Sequence, residues 1–299
     1  MKKAYLFIIL GASFWGTISW YVRHLYEFGF TPMEVVILRA WTAAFLLLAY
    51  LVIFARQEIK LHAFKDIRYF IGTGIFSIIF FNFCLFTAMQ LSTIPVATAL
   101  LYTAPAFVTI LSFLLFKEPL TKSKLISLLL TFVGICLVVG IFPLNIGFVS
   151  AKAILFGLGA GLGYSLYSIF SKLALETYST LSITTFTFIT AAIALSPFFP
   201  YAEKGALLIN PFVLFYALGL GFLPTAFAYI IYTYGLNQTE ASKASILTTI
   251  EPVVATLIGI FLFQENFTIL QFIGMSCILA AVLFIQRSSS NKVHIQQSA

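Results

Sequence analysis

The sequence predicts an all-α membrane protein of ten transmembrane helices arranged as two inverted-topology five-helix repeats. Three observations predict it. Of 299 residues, 61% are hydrophobic and 9% charged, against about 25% charged in ordinary soluble domains. Runs such as Leu125 to Val139 and Ile273 to Ile285 are apolar on every face, where a membrane β-barrel would alternate residue by residue. The segment Ala97-Thr98-Ala99-Leu100, Pro105, Phe116-Lys117-Glu118 also returns as Ala244-Ser245-Ile246-Leu247, Pro252, Phe263-Gln264-Glu265, its prolines 147 residues apart.

A helix needs about 20 apolar residues to cross a bilayer, and the chain supplies ten such stretches. The first, about 4–22, carries Trp15-Gly16 among Ser13, Thr17 and Ser19; the second, about 34–55, has Arg39 near its start. The third, about 67–89, holds Asn82, and the fourth, about 94–116, holds Tyr102 and Pro105. A fifth follows at about 123–142. Gly157, Gly159, Gly161 and Gly163 mark the sixth, about 151–172, as a helix built for close packing. After a seventh at about 180–199, the eighth, about 211–235, carries Tyr229 and Tyr232 one turn apart on one face. The ninth, about 240–263, carries Thr248, Glu251 and Pro252, and the tenth runs over about 267–286. Met1-Lys2-Lys3 with the apolar run after it has the outline of a secretory signal. It reads instead as the first span, because a later helix needs it as a partner.

With the N-terminus inside, Lys2, Lys3, Arg56, Lys60, Lys65, Arg68, Lys117, Lys122, Lys124, Lys172, Lys243, Arg287 and Lys292 fall on the cytoplasmic side, 13 of the 17 cations. Only Arg23, Arg39, Lys152 and Lys204 fall on the other. The positive-inside rule therefore places both termini in the cytoplasm of a multi-pass cell-membrane protein. The net charge of +7 comes from these loops, not from a nucleic-acid-binding patch.

The repeat register extends to Gly72/Gly219, Gly74/Gly221 and Phe80/Phe227, and with small drifts to Trp15…Arg23/Tyr164…Lys172 and Thr42-Ala43-Ala44/Thr190-Ala191-Ala192. It divides the chain into repeats over 1–145 and 146–287 and a polar tail over 288–299. Five spans per half is odd, so the second copy must insert upside down, as in many secondary transporters.

Glu251 is the one acid near the middle of a span. Placing a charge there costs roughly 3 kcal/mol, so it faces a polar cavity or partner. Pro252 beside it removes a backbone donor one turn on from a carbonyl. The acid reads as a substrate or proton site, or as a paired group holding the helix to a neighbour. Its repeat counterpart is Ala104. Arg39 reads either as a snorkelling cation or as an anion receptor in an outer vestibule, with Arg23 and His24 assigned to the outer loop and His62 and His294 to solvent-facing segments. Asn82 and Tyr229 occupy equivalent positions and point to a shared polar cavity or to interhelical packing bonds. Tyr102 and Thr98, with Ser245, Thr248 and Glu251 spaced by threes, extend that logic, and Trp15 is the aromatic candidate with packing as its alternative. Glu118 and Glu265, thirteen residues after Pro105 and Pro252, read as helix-end groups that cap or pair with a loop. Cys84, Cys136 and Cys277 lie within spans and form neither a disulfide nor a metal set.

Trp15-Gly16, Leu38-Arg39, Pro105 with Phe116-Lys117-Glu118-Pro119-Leu120, Glu251-Pro252 and Phe263-Gln264-Glu265 give the chain a recognisable pattern. Over nearly its whole length it resembles the EamA family of the drug/metabolite transporter superfamily. Lys117 and Gln264 depart from it, standing where the family usually has glycine, as does Tyr164, where tryptophan is frequent. The resemblance implies a secondary transporter exporting or exchanging small metabolites, often amino acids or related compounds. Its runner-up is a multidrug or nucleotide-sugar carrier. Phosphate-bearing substrates call for several intramembrane cations, whereas this chain buries at most Arg39, which favours a zwitterionic or uncharged solute. A channel is a further alternative. No metalloprotease pair, nucleophile elbow or phosphate loop occurs, which argues against an enzyme and against a cofactor. Without an ATPase motif, transport is facilitated or driven by an ion gradient, and Glu251 makes protons one candidate for the coupling ion.

Overall fold

The structure, a computed structural model, describes the backbone of residues 2–140 and 149–297 and the side chains of residues 3–140 and 149–287. The expected repeat boundary at 145/146, the end of the fifth span and the side chain of His294 lie outside the described residues.

All described elements are helical. We number them α1 (Lys3–Glu27), α2 (Pro32–Phe54), α3 (Phe64–Leu91), α4 (Ile94–Phe116), α5 (Lys122–Val138), α6 (Ala151–Ala174), α7 (Thr180–Phe198), α8 (Pro211–Asn237), α9 (Ala241–Phe263) and α10 (Ile269–Arg287). Among the described residues, nine are long and apolar enough to cross a membrane; α5 has 17 residues, about 25 Å.

One end differs from expectation. The first helix runs to Glu27, so Arg23 and His24 are helical and not loop residues. Each meets an aromatic ring, Arg23 from an exposed position and His24 from a half-buried one. The Arg23 guanidinium lies 4.1 Å from the Phe263 ring centroid, a cation–π contact, and His24 stacks on Tyr216 at 4.6 Å. The last span ends at Arg287, about where expected, and its helix runs on to Gln297. No proline or glycine stands between Gln286 and Gln297 to stop it.

Four interruptions recur in the repeat register. α3 is π-helical over Gly72–Ile79 and α8 over Phe222–Phe227, a geometry that frees backbone groups and concentrates at functional sites. α4 breaks at Tyr102 and Thr103, and α9 at Thr248 and Thr249, each just ahead of its proline. At both breaks a threonine hydroxyl satisfies the backbone: Thr103 Oγ1 donates to Leu100 O and Thr249 Oγ1 to Ile246 O, each at 2.6 Å. Discontinuous helices of this kind expose polar backbone inside a membrane only where a cavity or protein receives it.

The main packing joins the halves to each other. α1 lies on α8 and α9, α6 on α3 and α4, α2 on α7 and α8, α4 on α9, and α5 on α10. Exchanging each helix for its counterpart in the other half reproduces this pattern. Gly157 and Gly161 give α6 its approach to α4, where an added Cβ would fall 2.5 Å from Leu100 and 2.6 Å from Thr103. Gly159 and Gly163 do the same towards Cys84 and Phe81 of α3. The three cysteines are free thiols.

The helix ends sort into two faces. At one, the Glu118 carboxylate at the end of α4 accepts the Ala241 N–H (2.7 Å) and the Ser242 N–H (3.2 Å) and hydroxyl at the start of α9. Lys124, 1% exposed, lies 3.5 Å from Glu118 and 2.6 Å from Glu240. On the same face Tyr178 donates to Asp66 (2.9 Å), and Ser179 and Ser182 donate to Glu58. At the opposite face Lys204 donates to Gly29 O at 2.8 Å, and Glu265 is exposed.

Candidate functional site

A cavity of about 300 Å³ lies between α1, α2, α3, α6, α8 and α9. It is lined partly by Tyr26 and Pro32, both exposed, so it reaches the face that carries Gly29 and Lys204. None of its lining residues lies at the Glu118 face.

Glu251 enters this cavity from the first turn after the break in α9. The carbonyl that Pro252 deprives of its usual donor, Thr248 O, accepts the Glu251 N–H instead at 3.0 Å. α1 can pass over this point because residue 16 is glycine: a Cβ there would fall 2.9 Å from Glu251 O and 2.7 Å from Val254. The Tyr164 hydroxyl donates to Glu251 Oε2 at 3.0 Å, and Tyr102 is near enough to interact electrostatically with the same carboxyl.

Arg39 lines the same cavity from α2. Because α2 begins at Pro32, the residue lies two turns in, and its side chain turns inward and does not snorkel to the surface. Its Nε donates to Thr225 Oγ1 at 2.8 Å, and its guanidinium carbon sits 5.7 Å from the Tyr229 ring centroid. No Arg39–Glu251 ion pair forms within 4.0 Å. An acid and a guanidinium thus face one cavity, the acid held by the Tyr164 hydroxyl and the guanidinium by Thr225 and Tyr229.

Trp15, 6% exposed, lines the inner part of the cavity. Its ring lies 5.0 Å from those of Tyr229 and Tyr232 and 6.2 Å from its repeat counterpart Tyr164, and its indole N–H has no protein partner. A water-sized void of about 10 Å³ sits against Trp15, Tyr164 and Tyr229. Hydroxyl pairs Ser168–Tyr232 (2.7 Å) and Tyr167–Thr233 (2.8 Å) cross-link α6 and α8 beside it. Asn82 lines the large cavity and donates to Ile78 O at 2.7 Å, while its counterpart Tyr229 lies on the void.

The other sequence candidates do not join the cavity. Thr248 and Ser245 donate to carbonyls of their own helix, at 2.7 and 3.0 Å. Pro105 and Pro252 follow the helix breaks, and Glu118 and Glu265 stand at helix ends on opposite faces. Among the described residues no cluster of His, Cys, Asp and Glu could hold a metal ion.

The model of the EamA-like transporter family matches residues 2–140 and again residues 151–287. The chain belongs to the EamA-like transporter family. This EamA-like chain is 32% identical to an uncharacterized transporter of Archaeoglobus fulgidus over 94% of its length and 95% of the relative's. It is 26% identical to an uncharacterized transporter of Clostridium kluyveri, over 98% and 96%. A solved crystal structure at 16% identity superposes with a TM-score of 0.75, covering 95% of this chain and 98% of the other, which establishes a shared fold. This EamA-like protein is a multi-pass membrane transporter and not an enzyme.

Two residues of the EamA-like site were not singled out from sequence as site residues. Tyr164 was visible as the repeat counterpart of Trp15, and that relation places both on the cavity. Thr225 carries no local signal, because its value lies in a π-helical segment that apolar periodicity does not reveal.

Proposed function

We propose that this EamA-like protein is a secondary transporter that exports or exchanges a small zwitterionic organic solute, an amino acid or related compound, by alternating access. One observation carries the reading: Arg39 and Glu251 face a single cavity without pairing. A solute carboxylate fits the Arg39 guanidinium, an ammonium fits Glu251, and the apolar walls Val35, Val36, Leu85 and Leu101 receive the remainder. These are also the charged departures from the repeat. Glu251 replaces Ala104, and Arg39 stands where the register of Thr42 and Thr190 puts Thr187, whose hydroxyl meets Thr73 of α3 at 2.6 Å.

In this reading α5 is the tenth transmembrane span and the two repeats are inverted. The contact of Glu118, at the end of α4, with Ala241, at the start of α9, supports that arrangement: equivalent helices run in opposite directions. The charge bias of the loops places the Glu118 face and both termini in the cytoplasm of a cell membrane. The structure then represents an outward-open state, closed inside by Glu118, Lys124 and Glu240 around the ends of α4 and α9. Switching would release Glu118 and close the outer ends, where Glu265 is its counterpart. Glu251, the acid in the cavity, takes the role of proton carrier.

The test is counterflow in proteoliposomes with radiolabelled L-leucine, L-phenylalanine and L-threonine. Trans-stimulated uptake of at least one is expected, lost in Glu251→Gln and weakened at least tenfold in Arg39→Gln. Uptake that does not saturate and shows no trans-stimulation would indicate a pore and overturn the proposal.

A further inference from the structure

Arg39 and Glu251 attract one another across the cavity, and a direct pair between them would neutralise the site. Each is held instead by a hydroxyl on another helix. On the Glu251 side, Tyr164 donates to Oε2 at 3.0 Å. On the Arg39 side, the guanidinium is held through Nε by a hydroxyl on a different helix, Thr225 Oγ1 at 2.8 Å.

The acceptor is itself unusual. Thr225, fully buried, lies inside the π-helical segment Phe222–Phe227, and its own proton goes to Leu220 O at 2.7 Å, five residues back. In an α-helix the threonine hydroxyl reaches carbonyls three or four residues back. Here the wider turn redirects it. With its proton committed to Leu220, Oγ1 presents lone pairs to Arg39. The close approach of α8 to α2 brings the pair within reach: at Gly221 an added Cβ would fall 2.1 Å from Thr42 Oγ1 and 2.9 Å from Ala43 N.

We propose that Thr225 is the positioning residue of this site: its hydroxyl, fixed by the π-helical turn, holds the Arg39 guanidinium away from Glu251 and keeps both charges available to a zwitterionic solute. The role of the two charges rests on the transport reading above, but the separation itself is independent of any solute. Without the Thr225 hydroxyl, Arg39 keeps only its Tyr229 contact and loses the anchor at Nε, which frees the guanidinium to shift towards Glu251.

Carbodiimide labelling reads this directly. As a proton carrier Glu251 exchanges between its acid and carboxylate forms; dicyclohexylcarbodiimide reacts with the acid form, and a carboxylate held ionised by a guanidinium escapes it. The full-length protein in detergent is labelled at pH 7, and modification of Glu251 is followed by peptide mass spectrometry, with Glu251→Gln as the blank. Thr225→Val and the smaller Thr225→Ala, which tolerates imperfect packing, are expected to lower the Glu251 labelling rate at least fivefold. Thr225→Ser is expected to restore it, as is the double variant Thr225→Val with Arg39→Gln, in which no guanidinium remains. Wild-type labelling in both Val and Ala variants, or a loss in Thr225→Ser equal to that in Val, would overturn the proposal. L-leucine counterflow on the same proteins separates the two ideas: the labelling pattern without any counterflow leaves the positioning role standing and removes the transport reading. Counterflow with unchanged labelling does the reverse.

Discussion

Lys117 and Gln264, 147 residues apart, hold the same left-handed backbone conformation, φ 55° in each. Each closes its helix in the same way: the next residue, Glu118 or Glu265, donates its N–H six residues back, to Ser112 O at 3.2 Å or Gly259 O at 3.1 Å. The glycine usual here in the resembling family has a physical cause, since a side chain with a Cβ costs roughly 1 kcal/mol in this region. Lys117→Gly and Gln264→Gly relieve that strain at some cost in unfolded-chain entropy. The expected result is a rise of about 2 °C in apparent melting temperature for each substitution, measured by thermal denaturation in detergent. A fall would show that the side chain contributes more than the strain it imposes.

Glu118 holds two helices at once: it caps α9 through Ala241 and Ser242 and shares the buried Lys124 with Glu240. Removing one member of a buried ionic cluster leaves charge uncompensated and costs about 3 kcal/mol or more. Glu118→Ala is therefore expected to lower the melting temperature by about 6 °C or more. Glu118→Gln, which retains an acceptor for the α9 cap, should lose about half as much. Cysteine-accessibility measurements near Ala241 add a second readout. Faster labelling from the Glu118 side in both variants is expected if this contact closes that face.

The loop at the same face carries a pH-dependent contact. Burial pushes the Tyr178 hydroxyl above the usual tyrosine range; the His62 N–H it accepts works against that shift, and the adjacent Asp66 carboxylate adds to it. A folded-state value above the unfolded one means that the contribution is complete below about pH 10. It is lost as pH rises through the folded value. The wild-type melting temperature should accordingly drop on moving from about pH 9 to pH 11 more than that of Tyr178→Phe, which lacks the titrating group. Equal drops would remove Tyr178 as the cause.

Composition and apolar run length displayed the helices, and the repeat displayed which of them correspond, because a bilayer leaves few other ways to satisfy the backbone. Glu251 was legible for the same reason: an acid at mid-depth needs a cavity or a partner. What periodicity hides is the backbone between the apolar side chains. The π-helical turns at Gly72–Ile79 and Phe222–Phe227 leave the apolar pattern intact, so nothing in that pattern marks Thr225. Thr248 misled in the opposite direction. Its spacing from Glu251 suits a helix face, but its hydroxyl donates to Ser245 O three residues back, as threonines in helices commonly do. The end of the first helix was misplaced because Arg23 and His24 suggest a loop, whereas a helix carries them to the rings of Phe263 and Tyr216 with Arg23 still exposed.

Tyr164→Phe tests the other anchor of the charge pair. The substitution removes only the hydroxyl that meets Glu251 Oε2 at 3.0 Å, and the ring keeps its edge contacts with Trp15 at 6.2 Å and Phe81 at 5.5 Å. The packing should therefore survive, with a melting temperature within about 2 °C of wild type, as expected where buried apolar volume is conserved. A hydrogen bond to a charged group is worth about 1.5–3 kcal/mol, so half-saturation for L-leucine counterflow should rise roughly tenfold or more. Trp15→Phe supplies the contrast, because it takes volume and the unpartnered indole N–H from the cavity but leaves the Glu251 anchor in place. If Tyr164→Phe transports with unchanged half-saturation while Trp15→Phe does not, solute recognition belongs to the aromatic wall and not to the oriented carboxylate.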